Sequence, residues 1–407
     1  MKITFVSNYI NHHQIPVSNV LYEALGTDYT FIQTEPMEEE RIQMGWNPKE
    51  VPVYVKCAYE EKELCQQLIM DSDVVIWGGI EEETLLKTRL DAGKPVIRYS
   101  ERLYKTGQWK AVSPRGLRKK YYDHTRYRKA PVYLLCAGAY VASDFHIVRA
   151  YPDKMFKWGY FPECKEYDVE ELMAGKRSQT GRSMENTQKE EAVTAQKPEK
   201  IEKTKLLWAA RFIDWKHPEL VVELAQRLAT VRKDFHITMI GDGPLKESIE
   251  RAVQEKHLEE YLTLAGAKTP PQVRIAMEKA AVFLMTSDRQ EGWGAVMNEA
   301  MNSGCAVVAD RMEGATPYLI EQGVNGFAYQ TGSVTQLVDF VNTLLDSAEY
   351  REQMGRKAYE TITKIWNAKV AAERLLCICR DVAAGKEPAI LWETGPCSRA
   401  EVIKERG

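Results

Sequence analysis

Short apolar runs alternate with longer amphipathic segments along most of the chain. Runs such as Ile3–Ser7, Val132–Ala137 and Phe235–Ile240 carry mainly apolar residues and predict strands that are buried on both faces. Between these runs, apolar residues recur at spacings of three and four, as in Val334–Leu345, and predict amphipathic helices. Strands that alternate with helices favour a parallel sheet, because parallel neighbours need a crossover connection. The pattern therefore predicts an α/β protein.

The alternation occurs in two halves of the chain, and each half predicts a doubly wound parallel sheet. In the first half the predicted strands are Ile3–Ser7, Tyr29–Gln33, Val51–Lys56, Asp73–Trp77, Pro95–Tyr99 and Val132–Ala137, with helices ending at Leu25 and covering Glu60–Met70 and Glu81–Leu90. In the second half they are Leu206–Ala210, Phe235–Ile240, Leu262–Leu264, Ala281–Met285, Ala306–Ala309 and Gly326–Tyr329. Helices there begin near Pro218, Pro244, Pro270 and Pro317, because proline fits the first helical turn, and three more cover Val334–Leu345, Glu349–Thr363 and Trp366–Ala383.

The boundaries between these halves follow from composition. The first domain covers residues 1–164, and the segment KWGYFP (Lys157–Pro162) leaves it. Residues 165–204 are charged and poor in large apolar residues, which predicts a linker or insertion that is partly disordered. The second domain covers residues 205–365, and residues 366–407 form a last helix and an irregular tail.

Composition is that of an ordinary soluble globular protein, with 407 residues, 44% of them hydrophobic and 28% charged. No apolar run reaches the length of a membrane-spanning helix, and the chain opens on a strand, without the pattern of a signal peptide. Eight cysteines are scattered without metal-ligand spacing. We therefore expect a cytoplasmic protein with reduced, structural cysteines and no bound metal.

Charge is concentrated in residues 98–129, which hold eleven Lys or Arg residues against two acidic ones, interleaved with Tyr and Trp. Three interpretations remain open. The stretch is a solvated rim around a site for anionic ligands, or a contact with an anionic membrane or lipid-linked acceptor. The third interpretation is a surface on which RNA bases stack. We favour the rim, then the membrane, and do not expect a nucleic-acid partner.

The strongest chemical signal lies in Ser287–Gly304, SDRQEGWGAVMNEAMNSG, which follows a predicted strand and continues as a helix. Gly292 and Gly294 leave the backbone bare at the start of this helix, where free N–H groups and the helix dipole favour an anion such as a diphosphate. Glu291 and Glu299 frame the site, with seven residues between them. A carboxylate accepts two hydrogen bonds, which suits the paired hydroxyls of a sugar or ribose.

These residues resemble the E-x(7)-E motif of the retaining nucleotide-sugar glycosyltransferases, in the large fourth family with the two-Rossmann-domain (GT-B) fold. The resemblance implies two Rossmann-like domains that face a cleft, with the donor held by the second. It implies that Glu291 contacts the transferred sugar, Glu299 holds the ribose, and the amides of Gly292–Gly294 bind the distal phosphate. Trp293 stands where the family has Phe.

Further donor-binding residues are implied by the same resemblance. Arg211 and Lys216 have the spacing of the family's G-R-L-x-x-x-K-G pattern, whose cations neutralise the departing diphosphate. Ala210 and His217 replace the two glycines that flank that pair. Gly241 opens the family's GDGP turn, and Gly266 lies where the nucleotide base docks on backbone groups. The last helix is expected to start near Trp366 and to cross back onto the first domain.

On the first domain, candidate residues lie at the carboxyl ends of predicted strands, where ligands bind in doubly wound sheets. Asn11, His12 and His13 follow the first strand and are acceptor-side candidates, although helix capping or packing explains them equally well. Glu101 follows Pro95–Tyr99, where many family members carry a His that contacts the sugar. It is either a catalytic carboxylate or the partner of a basic neighbour.

The resemblance implies a retaining transfer of a sugar from a nucleoside diphosphate to a hydroxyl acceptor, such as a saccharide or lipid-linked glycan, in surface polysaccharide or glycolipid synthesis. It implies no protein cofactor and no metal. Two other classes stay open, namely a non-catalytic GT-B scaffold subunit and a sugar-nucleotide epimerase or phosphorylase on the same fold. No lysine convincingly suits the pyridoxal phosphate of a phosphorylase.

Overall fold

The computed structural model describes residues 1–43, 48, 50–80, 84–108, 111, 113–177, 203–389 and 391–403. Within these ranges the chain forms two parallel sheets, of seven and six strands, whose strands are connected mainly by helices. Five of the thirteen strands in these ranges are buried at every position, as expected for a sheet covered on both faces.

The first sheet is built by residues 3–158. Its strands are β1 (Ile3–Ser7), β2 (Tyr29–Gln33), β3 (Val55–Cys57), β4 (Val74–Gly78), β5 (Val96–Ser100), β6 (Val132–Ala137) and β7 (Met155–Trp158). The helices are α1 (Ile15–Leu25), α2 (Glu39–Gln43), α3 (Lys62–Asp71), α4 (Thr84–Asp91), α5 (Pro114–Asp123) and α6 (Val141–Ile147). Helix α7 (Val169–Arg177) follows the last strand.

The second sheet is built by residues 204–329. Its strands are β8 (Thr204–Ala209), β9 (Phe235–Ile240), β10 (Leu262–Leu264), β11 (Val282–Met285), β12 (Ala306–Asp310) and β13 (Gly326–Tyr329). The helices are α8 (Pro218–Ala229), α9 (Lys246–Glu255), α10 (Pro270–Lys279), α11 (Val296–Asn302) and α12 (Thr316–Leu319). Three more helices complete the fold, α13 (Val334–Asp346), α14 (Ala348–Lys364) and α15 (Ala368–Ala383).

Strand order creates one switch point in each sheet. The orders are β3-β2-β1-β4-β5-β6-β7 and β10-β9-β8-β11-β12-β13, and all pairings are parallel. The chain therefore winds in opposite directions on either side of the β1–β4 pair and of the β8–β11 pair. Loops leaving the carboxyl ends of these strands diverge and open a crevice, which is where doubly wound sheets bind ligands.

The two sheets share one buried apolar cluster. It includes Phe5 and Phe31 of the first sheet, Leu207 and Phe283 of the second, and Leu375 of α15. Helix α15 packs against α1 and thus crosses back onto the first domain, as the resemblance implied. The tail returns further, since Cys397 N donates to Lys157 O (2.8 Å) and Lys157 N donates to Ser398 O (2.7 Å) beside β7.

The predicted doubly wound sheets are confirmed, and six predicted strands have the observed bounds: Ile3–Ser7, Tyr29–Gln33, Val132–Ala137, Phe235–Ile240, Leu262–Leu264 and Gly326–Tyr329. Most other predicted strands and helices are displaced by one or two residues. Proline marks the first turn of α8 and α10 as predicted, while α9 begins at Lys246 because Pro244 lies in the preceding turn. Helix α12 at Pro317 is a single turn of four residues.

Two strand predictions are wrong. The predicted strand Val51–Lys56 is reduced to β3, because Val55 N donates to Pro52 O (3.0 Å) and closes a turn over its first half. Strand β7 is missing from the prediction, although Lys157 and Trp158, assigned to the exit segment, belong to it. This edge strand has only four residues, and one of its pairing partners, Arg399 of the tail, is distant in sequence.

The predicted domain limits stay a prediction. Helix α7 lies inside the predicted linker, and the part of that linker expected to be disordered, residues 178–202, lies outside the described residues. Residues 81–83 of the predicted helix and residues 109, 110 and 112 of the basic stretch also lie outside them. Across the described ranges, no helix combines the length and the apolar composition that crossing a membrane requires. All eight cysteines fall within these ranges, and each is a free thiol.

Candidate active site

The loop between β11 and α11 depends on a glycine at position 294. Gly294 has φ of +75°, a conformation that other residues rarely adopt. A Cβ added there would approach Oε1 of Glu313 and Cε of Met285 to 2.5 Å. The Gly294 carbonyl accepts from Met297 N (2.9 Å) and so joins the loop to the first turn of α11. The predicted strand, glycine turn and helix are thus observed.

The neighbouring glycine, Gly292, lies against the first domain. A Cβ at Gly292 would collide with the carboxylate of Glu101, which follows β5. The Gly292 carbonyl oxygen lies so close to Gly138 and Gly314 that a side chain at either would clash with it. Ala139 N donates to Gly314 O (2.9 Å) across the same junction. The two domains therefore meet at the glycine loop, and Glu101 faces it.

Both oxygens of the Glu101 carboxylate are engaged. One accepts from the Tyr160 hydroxyl and the other pairs with Lys105 Nζ. Burial, followed by the charge of Glu101, holds the pKa of Tyr160 well above its ordinary value, so this hydroxyl stays a donor at neutral pH. The ion pair with a basic neighbour, one of the two interpretations of Glu101, is thus present, and it leaves the carboxylate beside the glycine loop.

The loop after Glu101 is fixed from within the first domain. Arg102 forms an ion pair with Asp144 of α6 (3.3 Å), and both side chains are fully buried. Asp144 also accepts from Tyr104 N (3.1 Å). Breaking a buried ion pair is strongly destabilising, because it leaves uncompensated charges away from water. The loop after Glu101 therefore has little freedom to move. The basic stretch 98–129 is therefore not a rim throughout, because Arg98 and Arg102 are buried.

The acceptor-side candidates lie at the end of β1. The Asn11 carbonyl accepts from Gln14 N (2.9 Å) and Ile15 N (3.0 Å) and thus ends the loop at the start of α1. Its side chain accepts from His13 N (2.9 Å). The His13 ring stacks on Tyr160 at a centroid distance of 5.6 Å and lies 3.8 Å from the His12 ring. Burial, then His12, holds the pKa of His13 well below its ordinary value, so it is neutral at pH 7.

On the second domain, the loop after β8 brings Lys216 to Glu291. Lys216 Nζ forms an ion pair with Glu291 Oε2, and both side chains are largely buried. The two loops are also joined through Thr286, whose hydroxyl donates to Lys216 O (2.5 Å) and accepts from Trp208 Nε1 (2.8 Å). Arg211 is exposed, and its guanidinium lies 5.9 Å from the centroid of the Trp215 ring. The predicted phosphate-binding cation and sugar-binding carboxylate are therefore brought together.

Gly241 and Gly266, the two other predicted donor-binding glycines, differ in their surroundings: Gly241 is tightly packed and Gly266 faces open space. Gly241 has φ of +146°, and a Cβ there would collide with the Ala210 carbonyl, so this glycine serves packing beside Arg211. Its N–H donates to Gly266 O (3.0 Å). Gly266 has φ of +68°, and a Cβ there would meet no atom within 4 Å. Gly266 therefore faces open space at the carboxyl edge of the sheet.

Glu299 lies on α11 with its side chain 27% exposed, and Arg274 Nη2 of α10 lies 3.8 Å from its Oε1. Burial raises the pKa of Glu299, while Arg274 and then Lys165 oppose that shift. Arg274 also donates to Glu163 O (3.0 Å) in the segment between the domains. The predicted ribose carboxylate is thus linked to the interdomain segment by one guanidinium.

Trp293, in place of the family's Phe, is completely buried between the domains. Its indole Nε1 donates to Asn298 Oδ1 (2.9 Å), which satisfies the polar group that Phe lacks. A Cβ at Gly159 would collide with the indole, and the Trp366 ring lies at a centroid distance of 5.6 Å. Trp293 therefore joins the glycine loop to the interdomain segment and to the final helix.

Three residues near the site were missed by sequence reasoning: Tyr160, Arg274 and Glu313. Glu313 is fully buried, and its Oε2 accepts from Ala315 N (3.1 Å) and Thr316 N (2.9 Å). Its other oxygen, Oε1, has no hydrogen-bond partner among the described residues. Burial, then Glu291, holds the pKa of Glu313 well above its ordinary value. The only sequence signal was an acidic residue before Gly314, just after β12.

Metal binding finds no support within the ranges that the structure describes. They contain no group of three or more His, Cys, Asp or Glu side chains that could hold an ion.

Comparison with known families gives a match over the second domain. The sequence model of the family Glycosyl transferases group 1 matches residues 189–361, which is less than half of the chain.

Curated relatives match over a similar region. A poly(ribitol-phosphate) alpha-N-acetylglucosaminyltransferase of Staphylococcus aureus (strain COL) is 29% identical over 171 residues, which are 41% of this chain and 33% of that protein. The sulfoquinovosyl transferase SQD2 of Arabidopsis thaliana is 34% identical over 37% of this chain and 29% of that protein. An N-acetyl-alpha-D-glucosaminyl L-malate synthase of Bacillus anthracis is 26% identical over 44% and 45%. The matches span less than half the length of these relatives.

Solved structures resemble most of the chain, including the first domain. A structure of Anabaena HepE in complex with UDP has a TM-score of 0.63 at 15% identity and covers 92% of this chain and 98% of that one. A structure of a S. aureus TarM mutant with Fondaparinux, alpha-GlcNAc-glycerol and UDP has a TM-score of 0.55 at 16% identity, over 79% and 57%. Identities this low show the fold alone, which is GT-B. The second domain is thus similar in sequence to the family Glycosyl transferases group 1, and the chain has the GT-B fold.

Proposed function

We propose that this chain is a retaining glycosyltransferase that moves a sugar from a nucleoside diphosphate to a hydroxyl of a saccharide or lipid-linked acceptor. The observation that carries the proposal is the Lys216–Glu291 ion pair beside the Gly292–Gly294 loop, with Glu101 of the first domain against Gly292. A cation, two bare glycines and two carboxylates from facing domains thus converge at the switch point of the second sheet. The proteins that resemble this chain include named glycosyltransferases, and the HepE and TarM structures contain UDP.

The second domain holds the donor in this proposal. Glu299 accepts from the ribose hydroxyls, and the base lies against backbone groups near Gly266, where space is open. The diphosphate lies at the N-terminal end of α11, where backbone amides and the helix dipole favour negative charge. Lys216 and Arg211 add fixed positive charge at the carboxyl end of β8.

In the reaction, the bond between the anomeric carbon and the diphosphate oxygen breaks, and its electron pair leaves with the phosphate. The acceptor hydroxyl oxygen forms the new bond on the same face, and its proton passes to the departing phosphate or to Glu101. Lys216, Arg211 and the loop amides stabilise the charge that grows on the phosphate, which is where preorganised donors act most strongly. Glu291 orients the sugar and stabilises the positive charge that develops on its ring. The step needs no metal and no cofactor.

The acceptor binds on the first domain, in the region of Asn11, His12 and His13, where the neutral His13 ring lies on Tyr160. A lipid-linked acceptor would lie at the inner face of a membrane, and helix α5 is the element suited to contact it. None of its ten residues is buried, and it presents Leu117, Tyr121 and Tyr122 beside several basic side chains. Aromatic and basic residues on one exposed helix favour an anionic lipid surface. We therefore propose a cytoplasmic enzyme with peripheral membrane contact, in surface polysaccharide or glycolipid synthesis.

The test is a panel of UDP-, GDP-, ADP- and CMP-sugars, measured first by thermal unfolding. A donor at 100 times its Kd is expected to add about 2.7 kcal/mol to the free energy of unfolding. The donor that stabilises the protein is then incubated with saccharide and lipid acceptors, and the anomeric configuration of the product is read by proton NMR. The same anomer in donor and product supports the proposal. Inversion contradicts retention, and stabilisation by no nucleotide or nucleotide sugar contradicts the proposed donor site.

A further inference from the structure

His217 stands where the resembling pattern has glycine, directly after Lys216 and before helix α8. Its backbone has φ of 50° and ψ of 54°, in the left-handed region. Glycine enters this region without cost, whereas a residue with a Cβ does so only when its surroundings hold it there. Histidine is among the side chains that are enriched in this conformation. The contacts of the His217 side chain must therefore hold its backbone in this strained conformation.

Both nitrogens of the His217 ring contact carboxylates. Nδ1 lies 2.7 Å from Glu219 Oε1 of α8, and Nε2 lies 3.2 Å from Asp288 Oδ2 in the loop after β11. A carboxylate only accepts hydrogen bonds, so the ring satisfies both partners when both nitrogens carry protons. These two bonds, that to Asp288 first, raise the pKa of His217 to about 10. The ring is consequently an imidazolium bridge between two loops at neutral pH.

Asp288 transmits this bridge to the glycine loop. Its Oδ1 accepts from Gln290 N (2.8 Å), and its carbonyl accepts from Glu291 N (3.1 Å). Its own N–H donates to Trp215 O (3.0 Å) in the loop that carries Lys216. Asp288 therefore shapes the turn that ends at Glu291 and holds it against the Lys216 loop.

We propose that His217 is a positioning residue, whose bridge to Asp288 fixes the Lys216 loop against the Glu291–Gly294 loop and so sets the spacing of the groups that receive the diphosphate of the donor. This inference rests on the proposed function and deepens it. With glycine at position 217 the backbone would be relaxed, but the two loops would lack the charged bridge. The imidazolium thus offsets the strain of the left-handed backbone by joining two loops that are 71 residues apart.

The charged groups around His217 decide how the bridge responds to pH. Glu219 and Asp288 contact the ring, Lys216 precedes it, and Asp310 at the end of β12 lies within electrostatic range. Burial raises the pKa of Asp310 to about 6, so it adds its negative charge to this group above that pH. The folded-state pKa of His217 lies above its ordinary value of 6.5, so the bridge stabilises the protein fully below pH 6.5 and its contribution is lost as pH rises towards about 10.

The test compares three variants with the wild type. His217→Gly removes the ring and keeps an allowed backbone, and Asp288→Asn removes the charged partner. His236→Gln is the matched control, because His236 also uses both ring nitrogens, on Glu260 O and Thr263 Oγ1 at an exposed edge. Titration calorimetry with UDP, GDP and ADP measures the affinity for the nucleotide that binds best. We expect His217→Gly and Asp288→Asn to weaken it five- to thirtyfold and to raise the KM of the donor, while the KM of the acceptor and the His236→Gln variant stay unchanged.

A second readout does not depend on nucleotides. In histidine NMR spectra the His217 ring is expected to stay doubly protonated at pH 8.5, and that signal is missing in His217→Gly. The difference in Tm between the wild type and His217→Gly is expected to shrink from pH 6.5 to pH 10. Titration of the ring near pH 6.5, or unchanged nucleotide affinity in His217→Gly, overturns the inference. If the wild type binds no nucleotide, the proposed function fails together with the role in donor binding, while the NMR titration still decides whether the bridge exists.

Discussion

At the scale of single residues, the candidate site combines ionisable side chains that are partly exposed with one that is fully buried. Glu291 and Lys216 pair at the site, whereas Glu313 lies fully buried behind Gly294 with one oxygen lacking a hydrogen-bond partner among the described residues. Glu299 lies within helix α11, which follows the glycine loop, near Arg274. Three carboxylates close to one glycine loop thus differ in environment, and we expect different functions from them.

Glu291 and Glu299 are expected to separate donor sugar from nucleotide. Glu299→Ala should weaken UDP and intact UDP-sugar alike, because both contain the ribose. Glu291→Ala should weaken the intact donor or slow transfer while UDP binds at least as well, because Lys216 loses its ion-pair partner and becomes available to phosphate. Calorimetry with UDP and with a UDP-sugar measures both. An equal loss of UDP affinity in the two variants would contradict this division.

Glu313 is expected to make stability depend on pH. Its folded-state pKa lies well above the ordinary 4.5, so the unfolded chain gives up its proton first as pH rises. The contribution of Glu313 to the free energy of unfolding should therefore fall as pH rises above 4.5. Glu313→Gln keeps the shape without the proton, so its Tm relative to the wild type should increase between pH 5 and pH 8. Exposed Glu247→Gln is the control. A difference in Tm that does not change with pH would show that Glu313 ionises like an exposed carboxylate.

At the scale of elements, each site group lies at the end of a strand or the start of a helix. Lys216 follows β8, Glu291 follows β11, Glu101 follows β5 and Glu299 lies in α11. Strand ends at the switch point are fixed by the buried sheet, so the loops that leave them hold side chains in defined positions. Helix α5 differs from these elements, because none of its residues is buried and its side chains are accessible to a partner surface.

Helix α5 is expected to bind anionic membranes. Arg118, Lys119 and Lys120 lie beside Leu117, Tyr121 and Tyr122, which are 42%, 53% and 47% exposed. Changing the three basic residues to Glu should abolish sedimentation with vesicles of phosphatidylglycerol, and about 1 M salt should do the same to the wild type, because screening then acts within about 3 Å. The same change at Lys246 and Arg251 of α9 and at Lys256, which directly follows this helix, is the matched control. A wild type that stays in solution with these vesicles at low salt would return α5 to the interpretation as a solvated rim.

At the scale of the whole molecule, the two domains are joined where the site lies. Glu101 contacts the glycine loop of the other domain, Trp293 packs on Gly159, and Arg274 joins Glu299 to the interdomain segment. Tyr140 OH also donates to Arg311 O (2.7 Å) across the cleft. The proposed donor site on the second domain is therefore in direct contact with residues of the first domain.

Glu101 is expected to act in transfer and not in donor binding. Glu101→Gln should keep the affinity for the donor while transfer falls at least tenfold, which is about 1.4 kcal/mol of barrier. Lys105→Ala is the matched control, because it removes the ion pair and leaves the carboxylate. Steady-state rates at saturating donor and acceptor distinguish the two variants. Equal rates in Glu101→Gln and the wild type would show that Glu101 is a structural partner of Lys105 and Tyr160.

The sequence by itself determined the elements whose cause is local. Buried strands were readable from apolar runs such as Phe235–Ile240, and helix starts from Pro218 and Pro270. The turn at Gly294 was readable because only glycine adopts its backbone conformation without cost. Backbone preference and runs of apolar residues are properties of neighbouring positions in the chain. Both can therefore be read from the sequence without knowledge of the tertiary structure.

Tertiary structure alone decided which groups meet. Lys216 and Glu291 are 75 residues apart, and Glu101 reaches Gly292 only because two sheets face each other. Phe156 of strand β7 pairs with the tail residue Arg399, which is distant in sequence, and Glu313 is buried by packing behind Gly294. Contacts of this kind depend on strand order and on the docking of two domains, and no spacing within a local motif records them. For the same reason the sequence showed His217 as a replaced glycine, and only the fold showed the two carboxylates that hold its ring.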